Sequence, residues 1–219
     1  MIFEKNDRIL FTGDSVSDFG RRRPVGEGLG EGVGPGYPRD VESFLNVFYP
    51  ELNLRITNTG NSGDTSRDLL KRYNDDVVAL KPQWVSILIG VNDVWRQFDE
   101  PSIPDGHILP DEYRSNVSEM IERVKDTTKG IFLMTPVYME PNRDDPLRKR
   151  LDEYGIILKS ISEKYDCIFV NLQSAFDKYL QHRHSSFIAW DRVHPNRTGA
   201  MIIANEFLKH TGFDKNRLL

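Results

Sequence analysis

The stretch Ile9-Leu10-Phe11-Thr12-Gly13-Asp14-Ser15 decides how this chain folds. It begins as an apolar run, which predicts a buried strand, and it ends abruptly in glycine, aspartate and serine. Gly13 has no Cβ, so the backbone can turn sharply there and leave room beside it. Ser15 then follows the carboxyl end of a core strand, where ligands bind in open parallel sheets. Its hydroxyl is a candidate nucleophile, although these three residue types are also ordinary in turns.

Apolar strands alternate with amphipathic helices along the rest of the chain. Apolar runs predict further strands over residues 54–57, 84–89, 130–134 and 167–170. Apolar side chains at helical spacing predict helices over residues 38–48, 69–80, 113–124, 147–161, 172–180 and 200–207. This alternation predicts a parallel five-stranded sheet with helices on both faces. With no repeat or linker in the sequence, residues 1–219 are expected to form a single α/β domain.

Composition excludes several classes of protein. The 219 residues include 29 basic and 33 acidic side chains, and the net charge of −4 argues against nucleic-acid binding. Cys167 is the only cysteine, so neither an intrachain disulfide nor a cysteine zinc finger is expected, and it is interpreted as a core residue. Residues 1–8 contain no apolar signal core, and no run approaches the ~18 apolar residues of a membrane span. These features predict a cytoplasmic protein that does not contact membranes.

Four polar blocks stand where predicted strands end or a late helix begins. Three of them follow the first three strands, and in a parallel sheet these share one edge, whereas the fourth precedes the last helix. The blocks are Gly13-Asp14-Ser15, Gly60-Asn61-Ser62-Gly63-Asp64, Gly90-Val91-Asn92-Asp93 and Asp191-Arg192-Val193-His194.

The residue types in these blocks suit acyl transfer. A neutral serine such as Ser15 is a weak nucleophile and needs a base, and His194 is the candidate because imidazoles titrate near neutral pH. Asp191 can orient that imidazole if residues 191–194 form a local turn. The tetrahedral intermediate needs fixed donors for its oxyanion. The backbone N–H groups of Ser15 and Gly63 and the side-chain amide of Asn92 are candidates.

The four blocks, in this order, resemble those of the SGNH, or GDSL, hydrolases, which are named for their catalytic Ser, Gly, Asn and His. The resemblance extends from residue 9 to about residue 199. It implies that Ser15 is the nucleophile, that His194 is the base oriented by Asp191, and that Gly63 and Asn92 join the Ser15 N–H in an oxyanion hole. It also implies a flavodoxin-like three-layer α/β/α sandwich, and it requires no cofactor or metal.

Within that family, the chain is most similar to a group of bacterial intracellular acetylxylan esterases, which remove acetyl groups from xylan or its oligosaccharides. The resemblance therefore implies an acetylated xylo-oligosaccharide, or another small acetyl ester, as substrate. Trp190, beside Asp191, is a candidate to stack on a sugar ring, although packing of the loop explains it equally well. The oligomeric state is left open, with a homo-oligomer as one possibility.

Other functions compete with this hypothesis. A short-chain lysophospholipase or thioesterase of the same family would use the same residues. A metallohydrolase is suggested only by His182-Arg183-His184, which without other ligand motifs is weak support. A non-catalytic carbohydrate-binding protein would have no need for an ordered serine, histidine and aspartate.

The connection over residues 16–37 is long and rich in glycine, and it is interpreted as a flexible rim of the site, an interface segment or a plain surface loop. Its Arg21-Arg22-Arg23 run is expected to be a solvated patch. Asp14 and Asp93 are expected to hold loops through backbone N–H groups, and Asp64 is a candidate helix cap.

Overall fold

The computed structural model describes residues 1–28 and 30–217. The strands in this part of the chain are β1 (Arg8–Gly13), β2 (Arg55–Asn58), β3 (Trp84–Leu88), β4 (Gly130–Met134) and β5 (Ile168–Val170). The helices are α1 (Ser15–Asp18), α2 (Tyr37–Phe48), α3 (Ser66–Asp76), α4 (Val91–Asp99), α5 (Pro110–Glu122), α6 (Pro146–Tyr165), α7 (Leu172–Leu180) and α8 (Arg197–Lys209). Short 3₁₀ turns lie at Pro50–Leu52, Val78–Leu80, Pro104–Gly106 and Ser185–Phe187.

The strands form one parallel sheet in the order β2-β1-β3-β4-β5, which confirms the predicted five-stranded α/β/α sandwich. The chain passes from β1 to β2 on one side and then returns to β3 on the other side of β1. This reversal creates a crevice at the carboxyl ends of β1 and β3, where parallel sheets bind ligands. In the register of these two strands Gly13 lies opposite Leu88, so both end at the same level.

Alternate residues of the central strands pack into two separate cores. Ile9 and Phe11 of β1 face the core that α2, α7 and α8 cover, whereas Leu10 faces the core formed with α3, α5 and α6. All three side chains are fully buried. Burial of each such side chain contributes about 1.5–3 kcal/mol. The sheet is therefore apolar on both faces, as the nearly continuous apolar runs predict.

Several boundaries and one helix differ from the predictions. Strands β2, β3 and β5 differ from the predicted ranges by one residue at one or both ends, and α3 stops at Asp76 because the chain continues as the 3₁₀ turn Val78–Leu80. Helix α4 is not among the predicted helices, although Val91, Val94, Trp95 and Phe98 have helical spacing. Asp64 is not the cap of α3, because the Thr65 side chain accepts the Asp68 N–H and forms a capping box with it.

The long connection after β1 is anchored to the sheet. Its first residues form α1, and Gly26 makes an antiparallel bridge with Asn58 at the end of β2, with N–O distances of 2.9 and 2.8 Å. The prediction of a solvated arginine patch is wrong for Arg21, which is 6% exposed and donates to the carbonyls of Gly60 and Pro24 at 2.6 Å each. A guanidinium can be buried here because backbone carbonyls satisfy its donors.

Cys167 is half-buried just before β5. Burial, and to a smaller extent the neighbouring Asp166 carboxylate, raises the pKa of its thiol to about 11. A protonated thiol is unreactive, which is consistent with a packing role.

Among the helices of the described residues, none is both long and apolar enough to cross a bilayer.

The turn at Gly13 generates a stability prediction. Gly13 has a φ of +153°, and an added Cβ would lie 2.0 Å from the Leu88 carbonyl oxygen. Gly13→Ala should therefore lower the free energy of unfolding by more than about 2 kcal/mol, because the backbone of β1 must move away from β3. Urea unfolding followed by circular dichroism measures this change.

Gly155→Ala is the matched control. Gly155 lies inside α6, and its added Cβ would meet only the Thr135 side chain at 3.8 Å. Because alanine favours a helix over glycine by about 1 kcal/mol, this variant should be unchanged or more stable. Equal stability losses in the two variants would show that the contact with Leu88 is not the cause.

Candidate active site

The ends of three neighbouring strands and one loop build a site at the carboxyl edge of the sheet. Ser15 begins α1 directly after β1, and Asn92 lies in the first turn of α4 directly after β3. Residues 59–65, which include Gly63, connect β2 to α3. Asp191 and His194 lie in the loop before α8.

Three side chains form a continuous hydrogen-bonded chain in this site. The Ser15 hydroxyl oxygen lies 2.9 Å from Nε2 of His194, and Nδ1 of His194 lies 2.5 Å from Oδ2 of Asp191. This is the arrangement of a nucleophile, a base and an orienting acid. The structure thus brings together the three residues that the sequence pattern singled out, although 179 positions separate Ser15 from His194.

A local turn aligns the acid with the imidazole. Oδ1 of Asp191 accepts the backbone N–H groups of Val193 and His194, at 3.0 and 2.7 Å. Arg192 adopts a left-handed φ of 68°, and its carbonyl accepts the Met139 N–H at 2.7 Å. Partial burial acts to raise the pKa of Asp191, but these N–H groups and the imidazole prevail and lower it. Asp191 is therefore held as a carboxylate, the form that can orient a histidine.

Three N–H donors at this edge have capacity for a further acceptor. Within residues 1–28 and 30–217, no group accepts the backbone N–H of Ser15 or of Gly63. The side-chain amide of Asn92 donates one N–H to the Asp64 carbonyl at 2.9 Å, which leaves its second N–H. Gly63 has a φ of +87°, and an added Cβ would point into open space. A glycine at position 63 is therefore explained by the left-handed backbone conformation and not by a lack of space for a side chain.

Asp18 is an important residue that the sequence pattern did not reveal. Its Oδ2 accepts both the N–H and the hydroxyl of Ser62, at 2.9 and 2.6 Å, and also an N–H of Arg23 at 2.7 Å. Arg23 and Arg21 in turn donate to the Gly60 carbonyl. Helix α1 and the connection that follows it therefore hold the loop that carries Gly63. No spacing signal in the sequence relates these residues, because their contacts cross between separate segments.

Asp14 and Asp93 accept hydrogen bonds that hold the starts of α1 and α3. Asp14 caps α1 by accepting the Val16 N–H at 3.0 Å, and Asp93 accepts the N–H and hydroxyl of Ser66. Burial raises the pKa of each carboxyl to about 7, despite these hydrogen bonds, which lower it. The predicted loop-holding roles agree with these contacts.

Trp190 flanks the His194 imidazole and is also exposed. Its ring stacks on His194 at a centroid distance of 5.8 Å and an interplanar angle of 7°. It remains 67% exposed, so it does not simply pack the loop onto the sheet. The Trp95 ring lies beside His194, with a centroid distance of 6.0 Å and an interplanar angle of 52°. A cleft of about 490 Å³ is lined by Trp190 and Asp191, together with Glu140, Arg192 and His184.

The remaining histidines belong to no metal-binding cluster in the described part of the chain. In the ranges 1–28 and 30–217, no group of three or more His, Cys, Asp or Glu side chains is arranged to hold a metal ion. His182 and His184 are exposed, and Nδ1 of His184 lies 3.0 Å from the Ser186 hydroxyl oxygen.

The buried Asp14 generates a pH prediction. Its folded pKa of about 7 lies above the unfolded value of about 4, so the folded chain binds more protons between these pH values. The free energy of unfolding should therefore contain a component that falls as the pH rises from about 4 to about 7. Asp14→Asn keeps a cap oxygen but cannot ionise, so its stability should decline less across this window.

Urea unfolding at half-unit pH steps tests this expectation, with Asp111→Asn on the exposed start of α5 as the control. That variant should retain the wild-type slope. Identical slopes for Asp14→Asn and the wild type would contradict the prediction.

Comparison with known proteins places this geometry in a family. Residues 11–202 match the GDSL-like lipase/acylhydrolase family. An acetylxylan esterase from Geobacillus stearothermophilus is 46% identical over 208 residues, which cover 95% of each chain. The crystal structure of Axe2, an acetylxylan esterase from that organism, superposes with a TM-score of 0.96 at 45% identity and covers 98% of both chains.

Other solved structures agree. Catalytic mutants of Axe2 carrying S15A, D191A and H194A superpose equally well. LAE5, an alpha/beta hydrolase enzyme from the metagenome of Lake Arreo in Spain, has a TM-score of 0.95 at 46% identity and covers 97% of this chain and 98% of its own. With the family matched over most of its length, this chain belongs to the GDSL-like lipase/acylhydrolase family.

Proposed function

We propose that this protein is a serine esterase that removes acetyl groups from acetylated xylo-oligosaccharides. The observation that carries the proposal is the aligned Ser15–His194–Asp191 chain beside three N–H donors with spare capacity. A nucleophile, its base and an oxyanion site are the parts that acyl transfer requires.

In the first half of the reaction, the Ser15 hydroxyl oxygen attacks the acetyl carbonyl carbon while its proton passes to Nε2 of His194. The carbonyl oxygen becomes an oxyanion, which accepts the N–H groups of Ser15, Gly63 and Asn92. The intermediate then collapses, the bond to the sugar oxygen breaks, and His194 returns its proton to that oxygen. The Asp191 carboxylate stabilises the imidazolium between these two transfers.

In the second half, water replaces the sugar hydroxyl. His194 takes a proton from the water, whose oxygen attacks the acetyl-Ser15 carbonyl carbon, and the same donors hold the new oxyanion. Collapse releases acetic acid, which ionises to acetate in water, and restores the Ser15 hydroxyl with the proton from His194. Because the tetrahedral intermediate of each half carries an oxyanion at the same position, one set of donors lowers both barriers.

The relatives support the choice of substrate. The similar Geobacillus enzyme is described both as an acetylxylan esterase and as an acetyl-xylooligosaccharide esterase. Its catalytic mutants replace a serine, an aspartate and a histidine at its positions 15, 191 and 194. This chain has the same residue types at its own Ser15, Asp191 and His194.

The surroundings of the site favour a sugar as the alcohol part of the ester. Trp190 presents an exposed aromatic surface beside the imidazole, and the adjoining cleft contains Glu140, Arg192 and His184. Aromatic surface suits the C–H face of a pyranose, and charged or hydroxyl groups suit its edges. We therefore propose that the sugar contacts Trp190.

The nucleophile is tested by Ser15→Ala. Turnover of 4-nitrophenyl acetate should fall by up to ~10⁶-fold, because without the hydroxyl oxygen no acetyl-enzyme forms. Asp191→Asn should lower kcat by up to ~10⁴-fold, since it removes the charge that orients His194. Steady-state kinetics on purified variants with wild-type circular dichroism spectra measure both effects. Substantial turnover by folded Ser15→Ala would rule out this mechanism.

The acyl group is tested with acetyl, butyryl and octanoyl esters of one alcohol. Values of kcat/KM should fall in this order, by about tenfold or more for each methylene that the acyl pocket cannot accommodate. Acetylated xylo-oligosaccharides should be deacetylated efficiently, with acetate release followed by NMR. Octanoyl esters cleaved as fast as acetyl esters would favour a lysophospholipase or thioesterase instead.

A further inference from the structure

Arg72, on α3, donates hydrogen bonds to several segments at the carboxyl edge of the sheet. Its side chain is 19% exposed and makes four hydrogen bonds. Nε donates to Oδ2 of Asp64 at 2.6 Å, and Nη2 donates to the Gly13 carbonyl at 3.0 Å. Nη1 donates to the Thr59 carbonyl and to the Asp76 carboxylate, at 2.7 Å each.

Three of these acceptors, all except Asp76, belong to the segments that carry the proposed oxyanion donors. The Gly13 carbonyl lies two residues before Ser15, and Thr59 and Asp64 flank the loop that contains Gly63. The Asp64 backbone carbonyl also accepts the Asn92 amide at 2.9 Å. One guanidinium therefore connects the end of β1 with the loop after β2, and through Asp64 with Asn92 after β3.

We propose that Arg72 is a positioning residue of the oxyanion hole: it sets the spacing between the N–H donors of Ser15, Gly63 and Asn92. The inference rests on the esterase function proposed above. A planar guanidinium suits this role because its donors point in fixed directions, so several acceptors are held at once in one geometry. An ammonium group on a flexible stem cannot reproduce these directions.

A purely structural role would have a different signature. If Arg72 only fastened α3 to the sheet, its loss would lower stability and leave catalysis by the folded protein unchanged. If it sets the donor spacing, its loss weakens contacts that strengthen in the transition state, so kcat falls and KM changes little. A displacement of about 1 Å at a catalytic group can lower the rate by about 10²-fold.

The experiment compares Arg72→Ala and Arg72→Lys with the matched control Arg123→Ala. Arg123, at the C-terminal end of α5, also connects two helices. It donates to Glu119 of α5 at 3.0 Å and to the Leu70 carbonyl of α3 at 3.3 Å. Among the described residues, its hydrogen-bond partners include none from the segments of the site. Each protein is assayed with 4-nitrophenyl acetate, and its melting temperature is measured. Arg72→Lys keeps a charge beside Asp64 and Asp76, so it decides the matter if Arg72→Ala does not fold.

The proposal expects kcat to fall by about 10- to 100-fold in both Arg72 variants, with KM within about twofold of the wild type. Arg123→Ala should show the wild-type kcat even if its melting temperature falls. Combining Arg72→Lys with Asn92→Ala should lower kcat by much less than the product of the two separate losses, because both act on the same donors.

Unchanged kcat in the folded Arg72 variants would overturn the proposal, as would fully multiplicative losses in the double variant. These outcomes are distinct from failure of the proposed function, in which the wild type itself would not hydrolyse the ester or Ser15→Ala would remain active. In that case this inference would fall as well.

Discussion

The contact between Gly13 and the Leu88 carbonyl is the constraint on which the site depends. A Cβ at residue 13 would lie 2.0 Å from that oxygen, so only glycine lets β1 end at this position beside β3. Because the two strands end level, Ser15 and Asn92 emerge at the same edge of the sheet. Any displacement at Gly13 would separate the Ser15 hydroxyl from the Asn92 amide, the donor proposed to stabilise the tetrahedral intermediate.

The hydrogen-bonded series Ser15–His194–Asp191 combines one local turn with one long-range contact. Asp191 and His194 are aligned by hydrogen bonds within a single turn, so local contacts largely set their relative geometry. The fold then has only to bring that turn to Ser15, across 179 residues of sequence. The tertiary structure therefore has to position accurately only the hydrogen bond between Ser15 and His194 and the N–H donors around Ser15.

Four aspartates close to the site have different tasks because their environments differ. Asp14 and Asp93 are buried against backbone N–H groups, and burial raises their pKa values. Asp191 is partly exposed and hydrogen-bonded to His194, and its pKa is lowered. Asp18 ties the loop of Gly63 to α1. Only Asp191 both stays charged and reaches the imidazole, so it is the one suited to support a base.

Local patterns in the sequence determined the parallel sheet, the turn at Gly13 and the candidates Ser15, Asp191 and His194, because strand periodicity and short motifs are written in neighbouring residues. They missed α4, whose apolar spacing begins within the Gly90-Val91-Asn92-Asp93 block and continues to Phe98. The buried state of Arg21 and the bridging role of Arg72 were decided by tertiary structure alone. These arginines donate to the carbonyls of Gly60, Gly13 and Thr59, which belong to distant segments of the chain. A local sequence pattern cannot predict which backbone carbonyls will need a side-chain donor once the chain has folded.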